Sequence, residues 1–139
     1  MILTTKKISP IKAGIYKAKI VDIRLYDNVA TRKGIAQKLV YSFCVFTDDG
    51  IVEMKTNVFV NDYPDSNFSK FKKSVLKFFN TDTLDTDDHI GLTVTAKFAV
   101  FTTSNGDEYP QLEWYSPYIN NQNETNIENI EVLGGNNNE

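Results

Sequence analysis

The sequence predicts an all-β fold, a small five-stranded barrel that carries one helix between its third and fourth strands. Two segments, 39–46 and 52–60, are rich in β-branched and aromatic residues, and Asp49-Gly50 between them is a tight-turn dipeptide. Apolar residues recur at helical spacing in 68–79. With 139 residues, 41% hydrophobic and 24% charged, the chain has the size and composition of one globular domain.

The N-terminal part of the chain predicts an arm, a strand and a loop. Residues 1–13 are apolar for a free terminus, and they form either an edge strand or flap on the same molecule or an arm that docks on a neighbouring subunit. The first strand spans 15–25, and its apolar parity shifts beyond Asp22, which predicts a bulge. Residues 26–37 are polar and predict a loop whose basic tip is Arg32 and Lys33.

The two central strands differ in how clearly their faces can be assigned. On the second strand both parities are largely apolar; we assign the set that contains Leu39 and Phe43 to the core and treat Tyr41 as an exception that faces outward. The third strand alternates cleanly, because side chains change face at every residue of a strand. Its outward set is Glu53, Lys55, Asn57 and Phe59.

The remaining elements lead into a compositionally distinct C-terminus. Asp65 or Ser66 can cap the helix. Of the 20 residues from 120 to 139, eight are Asn and four are Glu, which predicts a disordered acidic tail. After the helix, the predicted segments are an acidic connector at 80–89, a fourth strand at 90–101, an Asn105-Gly106 turn and a fifth strand at 109–118. The predicted domain boundaries are 1–13 for the arm, 14–118 for the barrel and 119–139 for the tail.

Five strands with one helix between the third and the fourth are the arrangement of the OB fold, a Greek-key barrel. The segment 14–20 (Gly-Ile-Tyr-Lys-Ala-Lys-Ile) and the segment 39–43 (Leu-Val-Tyr-Ser-Phe), followed by a glycine-turn hairpin and an aromatic-rich helix, resemble the OB-fold single-stranded DNA-binding proteins of phages and conjugative plasmids. The resemblance covers residues 12–118. It implies binding of single-stranded DNA with little sequence preference during replication or transfer of a mobile element, with replication or transfer proteins as further partners.

Charge is distributed unevenly along the chain, although its net value is only −3. All 15 Lys and Arg residues lie in 1–97, where 11 acidic residues oppose them, and 98–139 holds seven acidic residues and no Lys or Arg. A basic body with an acidic tail favours a polyanionic partner for the body, or it is a chance excess of solvated charge.

A platform for single strands needs cations for phosphates and flat rings on which bases stack. In OB folds this surface centres on the second and third strands and on the loops beside them. Tyr109, Trp114 and Tyr115 can belong either to the core or to the platform. The candidate residues are Arg32, Lys33, Lys38, Tyr41, Lys55, Phe59, Lys97, Phe101 and Trp114.

The sequence contains few features that are typical of an enzyme. Phosphate-loop, nucleophile-elbow and paired-histidine motifs are missing, and we expect no cofactor. His89 in its Asp-rich segment could in principle ligate a metal, but no second basic or nucleophilic group is spaced to join it. Cys44, in mid-strand, is expected to be a small buried hydrophobe.

Partners and location complete the expectations. The alternative function is an OB-fold protein-interaction or structural module of a phage or plasmid. If residues 1–12 dock head-to-tail on the next subunit, they would support cooperative coating of single strands. A single cysteine and the lack of an apolar run of roughly 20 residues predict a cytoplasmic protein without a membrane partner.

Overall fold

The computed structural model describes residues 5–119. The predicted tail beyond Ile119 and the first four residues of the predicted arm therefore lie outside the described residues. Neither helix of the described chain is long and apolar enough to cross a membrane. The elements in chain order are strands β1 (Gly14–Thr31), β2 (Gly34–Thr47) and β3 (Gly50–Phe59), helices α1 (Asn67–Phe79) and α2 (Thr86–His89), and strands β4 (Thr93–Thr102) and β5 (Glu108–Pro117).

The five strands form one antiparallel sheet in the order β3-β2-β1-β4-β5. The predicted all-β class, the five strands and the helix after the third strand are thus confirmed. Within residues 5–119, no backbone pairing joins the two outer strands β3 and β5, so the sheet is not closed into a barrel. The outer strands nevertheless lie close to one another, and the Thr56 hydroxyl donates to the Pro110 carbonyl over 3.2 Å.

One face of the sheet and the apolar side of α1 enclose the core. The inward sets predicted for β2 and β3 are buried there, including Phe43, Val45 and Met54. Helix α1 begins where the hydroxyl oxygen of Ser66 accepts from the Ser69 amide over 3.0 Å, which confirms one of the two predicted caps. The buried residues of α1 recur at helical spacing and are Phe68, Phe71 and Val75.

The loop predicted for 26–37 is wrong, because these residues continue β1 and β2 as a hairpin. The strands pair through Val29 with Ala36 and through Thr31 with Gly34, which leaves a two-residue turn. Gly34, the first residue after the turn, has a φ of 117°, a conformation that glycine adopts without strain. The Thr31 hydroxyl donates to the Gly34 carbonyl over 2.6 Å and closes the turn. Polar composition alone did not distinguish this exposed ribbon from a loop.

Two local features bear on the predicted strand pattern, a bulge in β1 and a short helix before β4. The predicted bulge in the first strand is confirmed by a register shift between Ile20 and Asp22 in its pairing with β2. The predicted start of the fourth strand at residue 90 is wrong, because the end of the acidic connector forms α2 and β4 begins only at Thr93. The Asp85 carboxylate caps α2 by accepting from the Asp87 amide over 3.1 Å.

The described part of the N-terminal arm lies on its own chain. Ile11 is buried in the core, and the Glu108 amide donates to the Lys7 carbonyl over 2.9 Å. The Lys7 amide in turn donates to the Asp107 carboxylate over 2.9 Å. In this single chain, residues 5–12 thus lie against their own molecule. Self-association through residues 1–12 stays a prediction.

Candidate nucleic-acid interface

A groove of about 550 Å³ runs between the two outer strands of the sheet. Three predicted site residues, Lys55, Phe59 and Phe101, line it together. Tyr109, which the sequence left open between core and platform, is the third ring of the groove, and it lies directly opposite Phe101 in the β4–β5 ladder. Strands that are distant in the chain thus bring one ammonium group and three aromatic rings to the same concave surface.

The groove exists because β3 and β5 do not pair. The Val60 amide bonds the Gln37 carbonyl, and since bonded and non-bonded pairs alternate along an antiparallel ladder, the backbones of Lys55, Asn57 and Phe59 point away from β2. Facing them on β5 is Pro110, which has no N–H to offer a ladder. The Thr56 hydroxyl satisfies the Pro110 carbonyl instead. The gap left between the strands forms the groove.

A row of alternating rings and cation crosses three strands beside the groove. Lys38 pairs with Tyr26 on one side and with Phe59 on the other, and cross-strand partners share a face of the sheet. The Lys38 ammonium lies 5.8 Å from the centroid of the Tyr26 ring. Tyr26 is 44% exposed and Phe59 is 47% exposed. Their strands are two steps apart, or roughly 10 Å, so the two rings offer separate stacking positions.

A second cation–aromatic cluster lies farther along the same face. The Lys17 ammonium is 5.2 Å from the Phe46 ring centroid and 4.7 Å from the Tyr118 ring centroid. Such contacts contribute about 0.5–1 kcal/mol at exposed sites. None of these three residues was among the sequence candidates. They extend the basic, aromatic face of the sheet beyond the groove.

The basic tip of the hairpin stands apart from the groove. Arg32 and Lys33 are both exposed in the turn between β1 and β2. Lys38 follows Lys33 by five strand positions, which places the tip about 17 Å from the ring row. The tip therefore lies at the same end of the strands as the ring row, but outside the groove.

Lys97 and Trp114 form a separate outer position on β4 and β5. They are cross-strand partners, and the Lys97 ammonium forms an ion pair with Glu113 over 3.3 Å. The Trp114 ring packs against Phe78 of α1, with ring centroids 5.1 Å apart. Trp114 is half-buried, and it does not line the groove.

The outward orientation predicted for Tyr41 is wrong, because its side chain is fully buried. It follows the inward parity of β2, and its hydroxyl group lies 2.9 Å from the Tyr115 hydroxyl group. Tyr115 is also fully buried, which settles its open assignment as core. A buried tyrosine needs a partner for its hydroxyl, and these two supply one another.

His89 completes this buried polar chain. Its Nδ1 lies 2.6 Å from the Tyr115 hydroxyl, and its ring stacks on Phe79 with centroids 4.4 Å apart. Among residues 5–119, no three potential metal ligands lie together. Burial lowers the pKa of His89, a shift that Asp88 and Asp85 partly oppose, and burial raises the pKa of Tyr41 to about 12. The chain Tyr41–Tyr115–His89 is a structural network of neutral groups.

The lowered pKa of His89 predicts loss of stability in mild acid. The unfolded chain takes up a proton at about pH 6.5, whereas the folded chain resists it until a lower pH. Between these two values the unfolded state binds more protons, so the free energy of unfolding should fall as the pH drops below about 6.5. Urea unfolding between about pH 7.5 and 5.5 measures this slope. His89→Gln should flatten it, and an unchanged slope in that variant would assign the effect to other groups.

Sequence analysis did not identify the site residues whose position on the outer face depends on pairing between strands. Tyr26 was placed in a loop, and only its pairing with Lys38 shows that it shares the face of Phe59. Lys17 had a visible outward parity in its strand, which could have identified it. Phe46 and Tyr118 carried no such signal, because their shared contact with Lys17 joins three separate strand ends.

Comparisons with known protein families, with characterised proteins and with solved structures give no match for this chain.

Proposed function

We propose that this protein binds single-stranded DNA, with little sequence preference, on the outer face of the sheet. The observation that carries the proposal is the groove between β3 and β5, which Lys55 lines together with Phe59, Phe101 and Tyr109. Rings supply sequence-tolerant stacking, and a cation supplies a contact for phosphate. Both requirements meet in one concave surface.

We further propose that the sheet is an OB fold opened along one seam. The five antiparallel strands in the order β3-β2-β1-β4-β5, with a helix after the third strand, support this proposal, because the OB fold is a partly open, five-stranded Greek-key barrel. Closure would require β3 to pair with β5, and the contact from Thr56 to Pro110 supports their proximity. In OB folds the second and third strands carry the nucleic-acid surface, which here contains Lys38, Lys55 and Phe59.

The ring row suggests a path for the bound single-stranded DNA across the sheet. A base stacked on Phe59 would have the Lys38 ammonium beside it and a second stacking ring, Tyr26, roughly 10 Å away. Each stacked base contributes about 1–3 kcal/mol, so two or three occupied rings account for useful affinity without base-specific contacts. Stacking does not depend on the hydrogen-bonding edges of the bases, which supports the proposed lack of sequence preference.

The setting proposed for this activity is the cytoplasm, during replication or transfer of a mobile element. Coating of a single strand there would protect it and present it to replication or transfer proteins. Self-association through residues 1–12 would add cooperativity. Residues 5–12 lie on their own chain in the isolated molecule, so that contribution would require the arm, including residues outside the described range, to reach a neighbour.

One observation favours a second candidate, a protein-interaction module. The backbones of Lys55, Asn57 and Phe59 face the gap, and no strand of the described chain pairs with them. An unpaired strand edge of this length can receive an extended peptide by β-augmentation. The flanking rings would then contact side chains of the peptide. This alternative predicts no dependence on nucleic acid.

Titration with fluorescent oligo-dT at several salt concentrations tests the proposed function. Affinity should fall steeply between about 50 and 200 mM salt, because bound phosphates release counterions. A duplex of the same length should bind more weakly, since its bases are not available for stacking. Absence of binding at low salt, or equal binding of the duplex, would contradict the proposal and favour the protein-interaction module.

The hairpin tip makes a separate prediction in the same assay. Lys33→Glu should weaken binding of all single strands alike and reduce the salt slope by about 0.7, the value for one phosphate contact on a single strand. Lys72→Glu, which reverses an exposed charge on α1, controls for the change in net charge. If the two variants behave alike, the tip does not contact the strand.

A further inference from the structure

A stripe of lysines on α1 lies outside the proposed groove. Lys70, Lys73 and Lys77 recur every three or four residues, so they share one side of the helix. All three are exposed. Within residues 5–119, the ion pairs join Arg24 to Asp22 and Lys97 to Glu113, so none of the stripe is neutralised there.

An aromatic pair stands between this stripe and the groove. Phe78 is 45% exposed and packs against the half-buried Trp114 ring with centroids 5.1 Å apart. On a helix of 3.6 residues per turn, Phe78 projects between the buried side and the lysine stripe. The pair thus connects the outer face of β5 with the exposed side of α1.

The outer face is continuous from the groove to this pair. Phe101 and Tyr109 at the groove are followed by Ala99 opposite Gln111 and then by Lys97 opposite Trp114, and cross-strand partners share a face. The step from Phe101 to Lys97 covers about 14 Å of strand. From Lys77 to Lys70 the helix adds about 10 Å.

We propose that a single strand leaving the groove continues across Trp114 and Phe78 and ends on the lysine stripe of α1. This inference rests on the proposed function and deepens it, because it adds a second segment to the binding path. Charge complementarity identifies the occupant: the stripe offers three cations to a polyanion, and the aromatic pair offers a stacking surface where the path turns onto the helix. Lys97 contributes less, because Glu113 pairs with it.

The second segment has a signature in oligonucleotide length. An oligo-dT of about six nucleotides should fill the groove alone, and one of about 16 nucleotides should reach the stripe as well, both within the range of OB-fold site sizes. Lys77→Glu and Trp114→Ala should each weaken the long oligonucleotide several-fold and leave the short one nearly unchanged. Phe59→Ala should weaken both. Reversal of all three stripe lysines should reduce the salt slope of the long oligonucleotide alone by about two units.

Lys72→Glu is the matched control. Lys72 lies on the same helix, but Lys72 and Phe78 flank the buried side of the helix on opposite sides. Circular dichroism verifies that each variant is folded, and Lys77→Gln replaces Lys77→Glu if the latter is not. Equal effects of Lys77→Glu and Lys72→Glu on the long oligonucleotide would overturn the second segment. An equal loss for both lengths would also overturn it, because the short oligonucleotide fills the groove alone and would not reach the stripe. If the unaltered protein binds neither oligonucleotide, the proposed function itself fails.

Discussion

The Tyr115→Phe substitution should lower the free energy of unfolding by about 2–6 kcal/mol, although it removes a single oxygen atom. That oxygen lies 2.9 Å from the Tyr41 hydroxyl and 2.6 Å from Nδ1 of His89, and all three groups are in the core. Without it two buried polar groups lose their partner, and each such loss costs about 1–3 kcal/mol. The ring packing against Phe71 and Phe79 is retained, so the change isolates the hydroxyl group.

Urea unfolding monitored by circular dichroism measures this loss. Tyr109→Phe is the matched control, because Tyr109 is 40% exposed at the groove and removal of its hydroxyl should change stability by less than about 0.5 kcal/mol. Similar small losses in both variants would show that the Tyr41–Tyr115–His89 chain does not contribute to stability as its burial indicates.

Phe59→Ala should weaken binding of single-stranded DNA by about 1–3 kcal/mol and leave the melting temperature nearly unchanged. Phe59 lies at the crossing of the groove and the ring row, so its ring is available to a base from either direction. Because it is about half exposed, its removal leaves no cavity in the core.

Ile51→Ala provides the control for Phe59→Ala. Ile51 lies on the same strand with the same outward parity, is 64% exposed and does not line the groove. Its replacement should alter neither binding nor stability. A large drop in stability with Phe59→Ala would make that ring part of the core, and unchanged binding would remove the groove from the site.

Local alternation was sufficient to predict most of the sheet. On β3 a strict alternation gave the correct face for Lys55 and Phe59, because one face is buried and the other is not. On β2 both faces are apolar, and the orientation of Tyr41 depended on a hydroxyl partner from β5 that its own strand does not reveal. The hairpin at 26–37 escaped prediction for a similar reason, since its polar residues are held by pairing with each other across a two-residue turn.

The candidate site was predictable only in part. Residue type and parity identified the cation and two of the rings that line the groove, but the opposition of Tyr109 and Phe101 is a matter of register between strands. Register also brings Tyr26 beside Lys38. Neither contact follows from spacing within one segment, because each depends on which residue of a second strand lies opposite.

The proline that keeps the seam of the sheet open also bears on how copies of this protein behave toward one another. An exposed strand edge can pair with the edge strand of a second molecule, and such pairing starts aggregation. Pro110 cannot donate to such a foreign ladder, and on the opposite lip the charged side chain of Lys55 is exposed next to the free backbone of β3. A proline and a lysine are the devices with which natural sheets protect their edges. The same two residues thus disfavour pairing of this seam with the sheet edge of another copy.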